Sequence, residues 1–210
     1  MKEIRAAALG RMSGGRASHG WDHVERVWSL CRTIGREEGA DLEILELAAF
    51  LHDLGRAEET ASAGKTCHAQ AGAMLALEIL REQGFPDETI RAVVHCIESH
   101  RFRAKGSRPR SLEARVLFDA DKLDSIGAVG VGRAFQFAGE VGAVLHNPHA
   151  DISETRPYSP DDTAYREFCV KLVRIRDSML TATGRRLAAD RHRFMVAFFD
   201  RLQEEVAGRR

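Results

Sequence analysis

Leu47-Ala48-Ala49-Phe50-Leu51-His52-Asp53-Leu54-Gly55 decides the reading of this chain. An uninterrupted apolar run leads into a histidine and an aspartate, and a glycine closes the segment. Asp41 is placed to cap a helix running from Leu42 to about Leu54, with Gly55 to end it. A titratable pair behind such a run is costly if it is buried without a partner. A divalent cation is one partner that offsets the cost.

Two other segments match this pair. Upstream, His23 lies in His19-Gly20-Trp21-Asp22-His23-Val24-Glu25-Arg26-Val27. Val24, Val27, Trp28, Cys31 and Ile34 recur there at three- and four-residue steps, which predicts an amphipathic helix. Downstream, Phe118-Asp119-Ala120-Asp121-Lys122-Leu123-Asp124 carries acids on an otherwise apolar helix. His23, His52, Asp53 and Asp121 form a mixed nitrogen and oxygen set that suits manganese, iron, magnesium or zinc. On a six-coordinate ion this set leaves positions for water and substrate. Such a site lowers the pKa of water and polarises a phosphoryl oxygen. Taken singly, each residue has a blander reading, as a hydrogen-bonded core histidine or a solvated cap. The combination carries the argument.

The rest of the chain predicts helices throughout. Thr66 is placed to cap one with Met74, Leu75, Leu77 and Leu80 on its apolar side. Pro86 suits the first turn of another, carrying Ile90, Val93, Val94 and Ile97. A further helix starts near Ser111. Ser159-Pro160-Asp161-Asp162 resembles a cap that opens a long helix ending near Gly184. A last helix from about Leu187 to Val206 carries Phe194, Met195, Phe198, Phe199 and Leu202. No segment alternates as a strand would. Arg101 to Arg110 and Val141 to Pro160 read as loops, the second either a plain connection or a flap over a site. The expected fold is all-α, one compact helical bundle over 1–210, with a metal-binding core at about 16–135 and long C-terminal helices at about 159–207 packed on it.

Composition narrows the class. Lys+Arg and Asp+Glu both number 31, so no net field draws the chain to nucleic acid or anionic lipid. Cys31, Cys67, Cys96 and Cys169 form no CxxC pair, which fits reduced thiols and a cytoplasmic protein. Met1 to Gly15 has no apolar stretch of signal-peptide length, and no run is long enough to span a bilayer.

The order His, His-Asp, Asp on helices resembles the HD-domain phosphohydrolase superfamily, and in particular its small stand-alone bacterial hydrolases. The likeness extends to Asp119-Ala120-Asp121-Lys122-Leu123-Asp124-Ser125-Ile126-Gly127-Ala128. It is weaker in the tail, at Thr183-Gly184-Arg185, Ala188, Arg191-His192 and Met195. The resemblance implies a helical metal-binding fold acting on phosphate esters or nucleotides, with His23, His52, Asp53 and Asp121 as ligands. Asp119 and Asp124 compete for the last role, and Asp121 occupies the family's Ala-Asp position. Asp124 and Lys122 are candidates to assist the chemistry. The Glu-Asp pair of the guanosine-tetraphosphate hydrolases is displaced here to Glu58 and Glu59. The nucleotidase branch has its glutamate where this chain has Arg56. The Gly-Tyr-Pro signature of the cyclic-dinucleotide branch is missing. Glu58 is the candidate general acid or base, with Glu59 beside it.

Binuclear branches use histidines at points comparable to His68 and His95. These two either hold a second ion or line the substrate pocket, and one ion is favoured. Arg26 and Arg133 are candidates to fork onto phosphate. The expected function is a metal-dependent phosphohydrolase for a nucleotide or related phosphate ester, such as a nucleoside-triphosphate pyrophosphohydrolase with manganese. It has a small-molecule partner, no membrane, and a homodimer among the possibilities. The alternatives are a metal-binding sensor with little turnover, and a nucleic-acid binder acting through Arg101, Arg103, Lys105, Arg108 and Arg110.

Overall fold

The computed structural model describes residues 1–12, 20–62, 64–101, 107–147 and 151–209. Among these residues every regular element is helical. The chain divides into two compact units, one of residues 1–121 with 180–183, the other of 122–179 with 184–210.

The first unit is built around the apolar run. Helix α1 is Lys2–Met12, α2 Trp21–Glu38, α3 Leu42–Leu51, α4 Arg56–Ala61, α5 His68–Glu82, α6 Asp87–Ser99 and α7 Leu112–Leu123. Asp41 caps α3 as its sequence position predicts, accepting from the Glu43 and Ile44 backbone N–H at 2.8 and 3.2 Å. Leu45 and every residue from Leu47 to Leu51 are buried. A helix apolar on all sides must be covered on all sides. Helices α1, α2, α5 and α6 supply that cover. Each Leu or Phe so buried stabilises the fold by about 1.5–3 kcal/mol. Helix α1, which buries Ile4 and Ala8, has no counterpart in the sequence reading.

Helix α3 stops at Leu51, three residues before the expected end, and His52 to Gly55 form a turn. The cause is a close approach of backbone to backbone. A Cβ on Gly55 would lie 2.3 Å from the His68 carbonyl oxygen and 2.6 Å from the Gly72 nitrogen. Only glycine lets the turn after His52-Asp53 rest against the start of α5. The same contact corrects the expected apolar side of α5. That helix buries Ala69, Gly72, Ala73, Ala76, Ile79 and Leu80, while Met74 is 60% exposed. Small residues face inward because the neighbouring backbone is so near. Its cap position belongs to Cys67, not Thr66.

The second unit holds α8 (Gly127–Glu140), α9 (Ala164–Val170), a 3-10 helix (Leu172–Ser178) and all but the first two residues of α10 (Ala182–Val206). Phe168 stacks on Phe199 at 4.6 Å between ring centroids, with Phe135 and Tyr165 at 6.3 and 5.9 Å from the same ring. The expected long helix from Ser159 to Gly184 is two short elements instead. Its cap is Thr163, whose hydroxyl accepts from the Arg166 N–H at 3.1 Å. Asp162 instead binds the Tyr158 N–H at 2.7 Å and the Arg166 guanidinium at 2.7 Å. Helix α10 then runs through Gly184. No helix among the described residues is long and apolar enough to cross a membrane.

Candidate metal centre

Four residues from three helices meet in the interior of the first unit. His23 comes from α2, His52 caps the end of α3, Asp53 follows it, and Asp121 sits near the end of α7. His23 Nε2 lies 3.3 Å from His52 Nε2, 3.6 Å from Asp53 Oδ2 and 3.5 Å from Asp121 Oδ1. His52 Nε2 is 3.7 Å from Asp53 Oδ2. His52 Nδ1 donates to the Ala49 carbonyl at 2.8 Å, so a neutral ring presents a bare Nε2. Burial pushes His52 down to about 4, which keeps that ring neutral near pH 7. Burial opposes the charge on Asp53, but the Arg56 guanidinium and the surrounding histidines hold its carboxyl well below the usual range.

Asp53 Oδ2 is buried and accepts no hydrogen bond from the protein. A buried charged oxygen without a donor carries a desolvation cost of about 1–3 kcal/mol or more. Two imidazole nitrogens lie beside it at 3.6 and 3.7 Å, and a second carboxylate, that of Asp121, lies 3.5 Å from the His23 nitrogen, all of them electron-pair donors. The residues present therefore fit a divalent cation. His23, His52 and Asp121 offer donor atoms all within 4.8 Å of one another, and so do Asp53, His68 and His100.

The second of these groups shares Asp53. Its Oδ1 lies 3.8 Å from both His68 Nε2 and His100 Nε2, which are 3.2 Å apart. His100 Nδ1 donates to the Ile97 carbonyl at 2.6 Å. Burial, then the nearby Arg56, pushes His68 down to about 2. The partner of His68 is thus His100, where the sequence reading chose His95. His95 turns elsewhere, with Nδ1 3.3 Å from Glu98 and Nε2 accepting from the Arg110 N–H at 3.1 Å. The available signal was a histidine at the very end of a helix, next to a serine, ahead of a polar loop.

Asp119 and Asp121 of α7, and Asp124 just past its end, separate by partner. Asp119 accepts from the Leu180 N–H, the Thr181 N–H and the Thr181 hydroxyl at 2.7–2.8 Å. Asp124 accepts from Arg133 at 2.8 Å. Asp121 is the one within 3.5 Å of His23. Lys122 is buried next to it in sequence. Glu58 is exposed on α4. Glu59, one residue on, contacts His68, Arg56 and Arg101. Arg26 pairs with Asp22 at 2.6 Å, and Arg133 with Asp124. In the basic loop, Arg103 and Lys105 fall outside the described residues, and Arg101 is bound to Glu59 at 2.6 Å.

A family model described as HD domain matches residues 20–126, which include all four converging side chains. The uncharacterized protein YpgQ of Bacillus subtilis (strain 168) is 35% identical, over 99% of this chain and 94% of its own length. A crystal structure of Bacillus subtilis YpgQ in complex with ADP superposes with a TM-score of 0.76 at 34% identity, covering 100% of this chain and 99% of that one. An HD-superfamily hydrolase from Bacillus thuringiensis superposes with a TM-score of 0.74 at 25% identity, covering 98% and 96%. The resemblance read from His23, His52-Asp53 and Asp121 is borne out, and the chain belongs to the HD domain family.

Proposed function

We propose that this protein is a metal-dependent phosphohydrolase acting on a nucleotide or related phosphate ester, with His23, His52, Asp53 and Asp121 as its metal ligands. The observation that carries this reading is the buried, donorless Oδ2 of Asp53, within 3.7 Å of the His23 and His52 Nε2 atoms, with Asp121 3.5 Å from His23. A divalent cation bound there supplies positive charge to a phosphoryl oxygen and activates water for attack on phosphorus. The chain's own groups prepare the site. The Ala49 carbonyl fixes the His52 tautomer, so its donor nitrogen faces inward. Asp53 offers one oxygen to each of the two donor groups, and Arg56 on Oδ1 keeps that carboxylate ionised. Burial of the whole set excludes bulk water and strengthens every electrostatic contact within it.

The nucleotide part of the proposal is supported by the ADP complex of YpgQ. Within it, a nucleoside-triphosphate pyrophosphohydrolase is the specific reading. Lys122, buried beside Asp121, is a candidate for contact with substrate phosphate, and Asp124 with Arg133 for support of that end of α7. The test is a panel of nucleoside mono-, di- and triphosphates with Mn2+, with phosphate and pyrophosphate measured separately. The expected outcome is pyrophosphate release from triphosphates, lost in His52→Ala. Stoichiometric metal with no turnover of any nucleotide would support a sensor instead.

A further inference from the structure

Hydrogen bonds from three side chains converge on the Glu59 carboxylate. His68 Nδ1 lies 2.9 Å from Oε2, and Arg56 Nη1 lies 3.2 Å from the same oxygen. Arg101 Nη2 lies 2.6 Å from Oε1. An ionised carboxylate only accepts, so the proton of the neutral His68 ring belongs on Nδ1. That leaves His68 Nε2 bare. It lies 3.2 Å from His100 Nε2, which in a neutral ring is also bare, because His100 Nδ1 then donates to the Ile97 carbonyl. Asp53 Oδ1 is a further acceptor, 3.8 Å from each.

Three acceptors facing one another is not the arrangement these groups would choose alone. Moving the His68 proton to Nε2 would make a hydrogen bond to His100, and it would give up the one that Nδ1–H makes to Glu59. We infer that Glu59 is a positioning residue, which holds His68 in the Nδ1–H tautomer and so keeps His68 Nε2, His100 Nε2 and Asp53 Oδ1 open to a cation. Arg56 and Arg101 flank the carboxylate and fix its rotamer. Helical spacing explains why the role falls to Glu59. Arg56 and Glu59 are three residues apart and share a face of α4, while Glu58 turns about 100° away toward solvent. The consequence for metal affinity rests on the metal-centre reading above, whereas the tautomer does not.

The experiment is long-range 1H–15N correlation of the histidine rings in the chelator-treated full-length protein above pH 7, with His68 assigned by His68→Gln. Wild type should show His68 protonated at Nδ1. In Glu59→Ala the ring should move to the Nε2–H form or to a mixture. Calorimetric titration of the same proteins with Mn2+ should show affinity weakened 10–100-fold in Glu59→Ala. Glu59→Gln, which retains an acceptor oxygen, should fall between, and it carries both measurements if the alanine variant does not fold. A wild-type His68 protonated at Nε2 would overturn the inference. So would an alanine variant with an unchanged tautomer and unchanged Mn2+ affinity. Wild type that shows the Nδ1–H ring but binds no Mn2+ would uphold the positioning role and reject the metal reading.

Discussion

Asp119 and Asp53 are both fully buried carboxylates of the first unit, and their surroundings are opposite. The protein meets the demand of Asp119 completely, with two backbone N–H groups and a hydroxyl from Leu180 and Thr181. Asp53 is met on one oxygen only, by Arg56 at 2.9 Å, and its other oxygen faces two imidazole nitrogens. The same side chain ties two segments of the chain together in one place and, in the function proposed above, would hold a cation in the other. Burial alone does not distinguish a structural acid from a ligand. The distinction lies in whether protein donors fill every lone-pair direction.

The largest effect that would test this contrast is on Asp119. Asp119→Ala strands the Leu180 and Thr181 donors, and unfolding in denaturant should show a loss of about 3–5 kcal/mol. Metal content of the folded fraction should match wild type. A small loss with metal gone would reverse the assignment of the two acids. Next is Gly55→Ala, whose Cβ would meet the His68 carbonyl at 2.3 Å. It should cost about 1–3 kcal/mol in a thermal melt and weaken Mn2+ binding, because the turn after His52-Asp53 must move from α5. Asp53→Asn should lower the metal-free unfolding free energy by about 1–2 kcal/mol, since the amide oxygen still accepts from Arg56 but the charge that Arg56 stabilises is gone. The smallest effect is Met74→Gln, which should stay within about 0.5 kcal/mol because that side chain is mostly exposed. A loss well above that would show that the apolar side of α5 is the one first read from the sequence.

The His-Asp pair was legible because it follows an apolar run that helix periodicity leaves nowhere to go but inside. His23 was legible because its helix has a single stripe. Asp119 and Asp121 were harder to separate. They sit about 200° apart on one helix, and which face meets His23 depends on packing that no local pattern encodes. His100 escaped because it lies just past the last turn of α6, where helical geometry no longer fixes direction. The inward face of α5 is hard to read from sequence for a related reason. Alanine and glycine give a weak hydrophobic signal, yet they are what a close backbone approach requires at Gly72. The expected long helix starts late because its cap is Thr163 in place of Ser159, a local choice, and it is over before Leu180 and Thr181, which Asp119 holds in a tertiary contact.

Protein side chains alone leave Asp53 Oδ2 without a donor, and a divalent cation is proposed to complete it. Elemental analysis of the purified protein beside His52→Ala and Asp53→Asn, with circular dichroism on each, tests it most directly. We expect stoichiometric divalent metal in wild type and none in either variant, with helix content preserved in all three. Stoichiometric metal retained in both variants would contradict it.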